Sequence, residues 1–185
     1  MGNISKNWKL ISRKEVYDGS PFVKVSIDTV KLPNGETIDD YHRIEVHNAV
    51  MLLVENEKKE LLVYEEYRHG VAEVSYTFPA GGIENDETLE GASKRELLEE
   101  TGYDCKDIKL LKNYIVSGSY MFGELNIMRI RKIKKIAEPK SKDIEDPDHI
   151  WLSKSQVKNS VINNDFKALT YATAALIWLL YEEKE

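Results

Sequence analysis

The opening forty-odd residues alternate apolar and polar positions, with Val16, Val23, Val25, Ile27 and Val30 separated by polar side chains. The pattern breaks at Asp18-Gly19-Ser20-Pro21 and at Pro33-Asn34-Gly35. Period-two alternation bounded by glycine and proline predicts strands, so this stretch reads as a small antiparallel sheet. Two denser apolar runs follow, His47–Val54 and Glu60–Tyr67, and the charged turn Glu55–Lys59 between them predicts two paired strands. The period then changes. Residues 88–101 predict a helix, with Thr88 as N-cap, Glu90 near the positive end of the dipole and Gly102 where a left-handed residue closes a helix. Gly91 in its first turn is a flaw of about 1 kcal/mol against alanine. Strands around Asp107–Tyr114 and Leu125–Ile133, an acidic loop at Asp143–Asp148, the strand Ile150-Trp151-Leu152 and a C-terminal helix over Ala168–Tyr181, which Asp165 can cap, complete the chain. The order strands, helix, strands, helix predicts an α/β sandwich in which a mixed sheet is covered on both faces.

Composition bounds this picture without redrawing it. A chain of 185 residues, 42% hydrophobic, buries one good core and leaves little for a second full domain. The expected division is an N-terminal β segment, residues 1–45, followed by one domain over residues 46–185. A formal charge of −6 gives no basic surplus to neutralise a nucleic-acid backbone, so no nucleic-acid partner is expected. Cys105 is the only cysteine, which rules out an intramolecular disulfide and reads as a small buried hydrophobe in a reducing compartment. The opening MGNISKNWKL leads into no apolar core of a secretory signal. Lys6 stands where a myristoylation site needs Ser or Thr. Ala168–Tyr181 is too short to span a bilayer. The chain is expected to be cytoplasmic, with no membrane partner.

The predicted helix carries the chemistry. At 100° per residue, Glu96 and Glu100 project about 40° apart, and Glu99 lies about 60° to the other side of Glu96. Three carboxylates on one face repel one another, and Arg95 alone cannot neutralise them. A solvated acidic face is the plain alternative. Before the helix, Phe78-Pro79-Ala80-Gly81-Gly82 reads as a strand end running into a tight glycine turn, where a backbone carbonyl can point outward at an ion. Glu84 and Glu87 lie between. Clustered carboxylate oxygens beside a bare carbonyl suit a hard divalent cation.

Gly81, Glu87 and the run Arg95-Glu96-Leu97-Leu98-Glu99-Glu100-Thr101-Gly102-Tyr103 together resemble the Nudix box at every fixed position, with Tyr103 where that family prefers an aliphatic residue. The flanking strands and the length resemble the ADP-ribose and nucleoside-diphosphate-sugar pyrophosphatase branch. The resemblance implies a Nudix-type α/β/α sandwich with a mixed sheet, plus a small N-terminal antiparallel β segment. It further implies that Glu96 and Glu100 ligate Mg²⁺, that Glu99 ligates it or holds the attacking water, and that the Ala80 carbonyl is a further ligand. Arg95 and Glu87 would orient these acids. Two or three Mg²⁺ ions, with Mn²⁺ as a substitute, would neutralise a pyrophosphate and acidify a water. Relatives place the general base in a loop beyond the helix, which falls here on Asp143–Asp148 and singles out Glu145, with Asp146 second.

For the substrate, the resemblance assigns Arg68 to the phosphates, although a surface ion pair with Glu65 or Glu66 explains it equally well. Glu84 joins it as a contact. Trp8 and Phe22 lie in the N-terminal segment, which in relatives helps bind the base and exchanges with a partner subunit, so a homodimer is expected. The implied reaction is hydrolysis of a nucleoside diphosphate linked to another moiety, an ADP-ribose-like or other nucleotide sugar, to a nucleoside monophosphate and a sugar phosphate. Departures keep the substrate open: Thr77-Phe78-Pro79 replaces Glu-Leu-Pro, and Ser117-Gly118-Ser119-Tyr120 lacks a proline. Tyr120 sits where dinucleoside polyphosphate hydrolases tend to carry tyrosine. A sensor that binds a nucleotide sugar without cleaving it is the rival of another class. It would lose acids of the box and gain a basic DNA-binding module, and the chain shows neither change.

Overall fold

A computed structural model describes residues 6–140 and 148–182, and its chain divides into two compact units. The first comprises residues up to Asn48 together with Ile115–Glu124, a segment that the expected division at residue 45 assigns to the rest of the chain. Its four-stranded sheet runs β1 (Lys9–Gly19), β2 (Val23–Lys31), β3 (Thr37–Val46), β9 (Met121–Phe122). The first three pair antiparallel, as the alternation predicts, and β9 adds to β3 in parallel. The buried face differs from expectation. Val16 lies exposed, whereas Ser26, Asp28 and Val30 are buried. Asp28 tolerates burial because Arg13 donates to both of its oxygens, at 2.7 and 2.9 Å.

That hydrogen bond and the guanidinium charge hold the Asp28 carboxyl below its ordinary 3.8. A depressed folded-state value means that the pair stabilises fully above the unfolded value and that this contribution is lost as pH falls through the folded one. The expected result is a melting temperature that drops below about pH 4 in the wild type. Asp28→Asn should melt lower at neutral pH and show a flatter acid limb; an unchanged pH profile would show that the pair contributes nothing.

The second unit holds both large clusters of buried residues. One sheet has the order β7 (Ala80–Gly82), β4 (Ala49–Val54), β10 (Glu124–Lys135), β8 (Tyr103–Ile115). Here β4 and β10 run parallel while β7 runs antiparallel to β4. The other is antiparallel, β11 (Asp148–Leu152), β5 (Leu61–Arg68), β6 (Glu73–Thr77). The strands β4 and β5 are not a ladder, as the sequence suggested; a single bridge, Glu55 to Leu61, joins them, and each pairs outward in its own sheet. The strand β4 and the first half of β5, Leu61–Tyr64, are apolar runs buried on both faces, so their composition says that they are central without saying which strand is their neighbour.

Their alternate side chains divide the core. Met51, Leu53, Leu61 and Val63 face α2 (Lys154–Ile162) and α3 (Leu169–Glu182), packing with Val157, Ala174, Ala175 and the fully buried Trp178. Val50, Leu52, Val54, Leu62 and Tyr64 face α1 (Leu89–Thr101), packing with Ala92 and Leu97. Mixed strands between helices on either face make an α/β/α sandwich. The expected strand-helix-strand-helix order missed α2, although Ser153 and Gln156 mark its start, the Ser153 N–H donating to Gln156 Oε1 at 2.9 Å. Asp165 does not cap α3, which begins at Leu169; its carbonyl instead accepts from the Tyr76 N–H. Among the described residues no helix is long and apolar enough to cross a membrane. Cys105 is buried, and loss of hydration pushes its thiol up to about 11.

Candidate active site

The platform is α1 and the strand before it. Thr88 accepts from the Gly91 N–H at 3.0 Å, and Gly102 adopts φ 70° with its N–H on the Leu98 carbonyl, so both ends are capped by local chemistry. The Gly102 carbonyl accepts from Ile136 and Ala137, and the Lys140 N–H reaches the Glu99 carbonyl at 2.7 Å. The helix has no basic residue in its own last turn, which is held by these backbone bonds and by Lys135, whose Nζ donates to the Thr101 carbonyl at 3.2 Å.

Ala80–Gly82 corrects the expectation of a tight turn: it is the edge strand of its sheet, and neither Gly81 nor Gly82 has a positive φ. What demands glycine at 81 is close approach. A Cβ there would fall well under 3.0 Å from the Glu96 carboxyl, which lies directly on the strand. The phase of the ladder disposes the neighbouring carbonyl. The Leu52 N–H donates to the Pro79 carbonyl, so by the alternation of antiparallel pairs the Ala80–Met51 pair is non-bonded and the Ala80 carbonyl points off the sheet edge.

Arg95 is the hub. Its Nε and Nη2 bind both oxygens of Glu87 at 3.0 and 2.8 Å, and Nη2 also donates to the Gly82 carbonyl at 2.8 Å. Its Nη1 reaches Glu96 Oε1 at 2.6 Å and Glu99 Oε2 at 3.7 Å. These bonds keep Arg95 firmly protonated and pull Glu87 below the usual carboxylate range. Glu96 moves the other way: burial raises its pKa, and Arg95 offsets this only in part. A buried carboxylate that one guanidinium does not fully compensate is a place for a further cation. Glu99 is half exposed and Glu100 partly buried on the same helix. Among the described residues no three acids, histidines or cysteines converge closely enough to grip a metal ion as they stand, because Arg95 occupies the space among Glu87, Glu96 and Glu99.

Arg68 ends β5, with Nε 3.3 Å from Glu66 Oε1 and Nη2 2.5 Å from the Tyr171 hydroxyl of α3. Glu66 is anchored in turn by the Thr77 hydroxyl at 2.5 Å. Burial raises the Tyr171 pKa, Arg68 opposes that, and the negative fields of Glu66 and Glu100 add to it. Tyr171 is therefore within electrostatic reach of Glu100. The ion pair with Glu66 is one that the sequence offered for Arg68, whereas Tyr171 and the Thr77 anchor were missed; Tyr171 is one aromatic in an apolar helix, and nothing local marks it.

The remaining candidates are dispersed. Glu84 is exposed and engages Glu87 through its backbone, donating to the Glu87 carboxylate at 3.1 Å. Trp8 belongs to the N-terminal unit, where it meets Tyr41 edge-on at 5.7 Å, and Phe22 and Tyr120 lie exposed in that unit. Glu145 and Asp146 lie outside the described residues.

Residues 45–170 match the NUDIX domain and residues 8–44 the nucleoside diphosphate sugar hydrolase N-terminal domain; the chain belongs to the Nudix family. It is 31% identical over 121 residues to the methanol dehydrogenase activator of Bacillus methanolicus, covering 65% of this chain and 63% of that one. It is 29% identical over 107 residues to the CMP-5'-(N-acetyl-N-hydroxy-3-aminopropyl)phosphonate hydrolase of Streptomyces rubellomurinus, spanning 58% of this chain and 51% of that protein. Both alignments span less than two thirds of those relatives. The ADP-ribose pyrophosphatase of Bacillus subtilis is 24% identical over 136 residues, covering 73% of this chain and 72% of its own. A solved ADP compounds hydrolase superposes with a TM-score of 0.85 over 100% of this chain and 98% of that chain at 20% identity, a likeness of fold.

Proposed function

We propose that this chain is a divalent-cation-dependent pyrophosphohydrolase that splits the P–O–P bond of an ADP-ribose-like nucleotide sugar into a nucleoside monophosphate and a sugar phosphate. The observation that carries the proposal is the buried Glu96 carboxylate seated on Gly81 and under-compensated by Arg95, on the helix that also bears Glu99 and Glu100. The nucleoside diphosphate sugar hydrolase N-terminal match and the relative named ADP-ribose pyrophosphatase support the substrate class.

The donor set is all oxygen, which suits Mg²⁺ with Mn²⁺ as a substitute. Glu96, Glu99, Glu100 and the Ala80 carbonyl would hold it. When bound, the cation supplies charge neutralisation at the diphosphate and makes a water acidic enough to attack. Arg95 and Glu87 fix the direction of Glu96 through the hydrogen bonds already made. Arg68, steadied by Tyr171 and Glu66, offers guanidinium donors to the phosphates. As water oxygen bonds to phosphorus and the bridging bond breaks, the proton passes to a carboxylate, with Glu145 the proposed base and Asp146 the alternative. Glu84 and Trp8 are proposed as outer substrate contacts.

The test is incubation with Mg²⁺ and ADP-ribose, other ADP- and GDP-sugars, diadenosine polyphosphates or nucleoside triphosphates, with products identified by mass. Nucleoside monophosphate plus sugar phosphate is expected. Tight binding without turnover of any member would replace the hydrolase with a sensor. Tyr171→Phe should raise KM roughly three- to tenfold while kcat changes less than about twofold, since the hydroxyl only steadies a binding group. Equal KM values would remove Tyr171 from the site.

A homodimer is part of the same proposal. The edge strand β1 is exposed almost throughout and carries Leu10, Ile11, Val16 and Tyr17 in the open, an edge that isolated chains rarely leave uncovered. Sedimentation at micromolar concentration should give twice the chain mass; a monomer would refute it. The single, buried Cys105 fits a cytoplasmic setting.

A further inference from the structure

At the end of the second unit away from Arg68, a cavity of about 520 Å³ is lined by Glu55, Asn56, Glu57, Lys59, Lys106 and the run Arg131-Lys132-Ile133-Lys134. The strand β5 runs from Leu61, next to the Asn56–Glu60 turn, to Arg68. Seven residue steps of about 3.3 Å put roughly 23 Å between the two ends. The cavity thus lies at the opposite end of β5 from Arg68, and none of Ala80, Glu96, Glu99 and Glu100 lines it.

Its charge runs against that of the chain. The whole sequence carries −6, yet five cations line this cavity against two carboxylates. One of those carboxylates is already committed. Glu55 is only 2% exposed and takes Arg131 Nε at 2.9 Å, which fixes the guanidinium beside the cavity. Among the described residues Lys59, Lys106, Lys132 and Lys134 have no ion-pair partner. Like charges brought together on structured elements repel, and such a cluster focuses a positive field that only an anion relieves.

The backbone is bent to make it. Lys59 and Lys132 both adopt left-handed conformations, at φ 59° and 55°, a choice that costs an L-residue about 1–2 kcal/mol. At Lys59 the turn is held by the Asn56 side chain, whose Oδ1 accepts from the Lys58 and Glu60 N–H groups. At Lys132 the left-handed residue falls inside β10, where strict alternation would send Arg131 and Ile133 to one face and Lys132 and Lys134 to the other. The break lets four consecutive residues line one cavity. Strained backbone that gathers unpaired cations is an arrangement found at ligand clamps.

The geometry points to a second binding site in this cavity, for a small oligophosphate anion. The volume is that of a small-molecule site, which a peptide or a nucleic-acid duplex would overrun. A fixed guanidinium with several ammonium groups around it matches the forked and point-charge contacts that phosphate oxygens accept. Because none of the proposed metal ligands lines it, the site stands or falls independently of the proposed hydrolysis.

The experiment is calorimetric titration of the full chain with inorganic tripolyphosphate in metal-free buffer, where the acidic face of α1 repels the probe. One site per chain is expected, weakening as salt rises. The exposed pair Lys106→Glu with Lys134→Glu should weaken binding at least about tenfold, and Lys106→Gln with Lys134→Gln should fall between the two. Circular dichroism confirms that each variant is folded, and Arg68→Ala should bind as the wild type does. No binding at roughly millimolar tripolyphosphate, equal affinity in the charge-reversed variant, or loss of binding in Arg68→Ala would each overturn the site.

Discussion

Glu100→Gln should lower kcat for the nucleotide sugar by about a hundredfold or more, with circular dichroism and melting temperature little changed. The substitution keeps shape and removes charge on a partly buried residue of α1 within electrostatic reach of Tyr171. As a proposed metal ligand it would lose both the charge attraction and one of two equivalent oxygens, while the core beneath it, Ala92 and Leu97, is untouched. Retention of more than about a tenth of the wild-type rate would remove Glu100 from the ligand set. The same substitution at Glu96 is a poorer probe, because Glu96 also bonds to Arg95 and a loss of activity there would mix ligation with positioning.

Gly81→Ala carries the second large effect, and it discriminates by a different logic. The added methyl group would occupy the Glu96 carboxylate position, so Glu96 must leave the strand and its bond to Arg95. Overpacking of this kind costs about 1–3 kcal/mol, and displacing a carboxylate proposed to bind the metal should cost roughly a further hundredfold in rate. The double variant Gly81→Ala with Glu96→Ala decides the cause. With the carboxylate gone the methyl group has room, so the double variant should melt no lower than Glu96→Ala alone, a strong departure from additivity. Additive losses would mean that glycine at 81 serves the strand itself and not the approach of Glu96.

What the sequence revealed and what it hid follow from the range of the interactions involved. The limits of α1 were legible because Thr88 and Gly102 act on backbone groups within a turn of themselves. The Nudix box was legible for the same reason: its residues are spaced by one helix and one loop. The pairing of β4 was hidden, because a run buried on both faces has no alternation from which to infer a partner. Gly81 was read as a turn, since glycine signals both bending and close approach, and only Glu96 lying against it distinguishes the two. Asp28 was passed over as a polar spacer because its partner lies on a neighbouring strand. The contact of Arg68 with Tyr171 spans 103 positions, so nothing near either residue announces it. The segment β9 joins the N-terminal sheet from far along the chain, beyond the reach of any local pattern.

The last turn of α1 sets Glu99 and Glu100 at the negative end of the helix dipole, with Glu96 one turn before them and no basic residue in the turn itself. Each such charge opposes the dipole by about 0.3–1 kcal/mol, and neighbouring carboxylates add their own repulsion. A helix selected only for stability would carry lysine there. This one carries acids there by composition and is held instead by Gly102, by the backbone bonds from residues 136, 137 and 140 and by the Lys135 ammonium on the Thr101 carbonyl. Surface-charge optimisation of this protein, a common route to thermostability, would choose Glu99 and Glu100 among its first targets and would stabilise the chain by removing what it is proposed to be for.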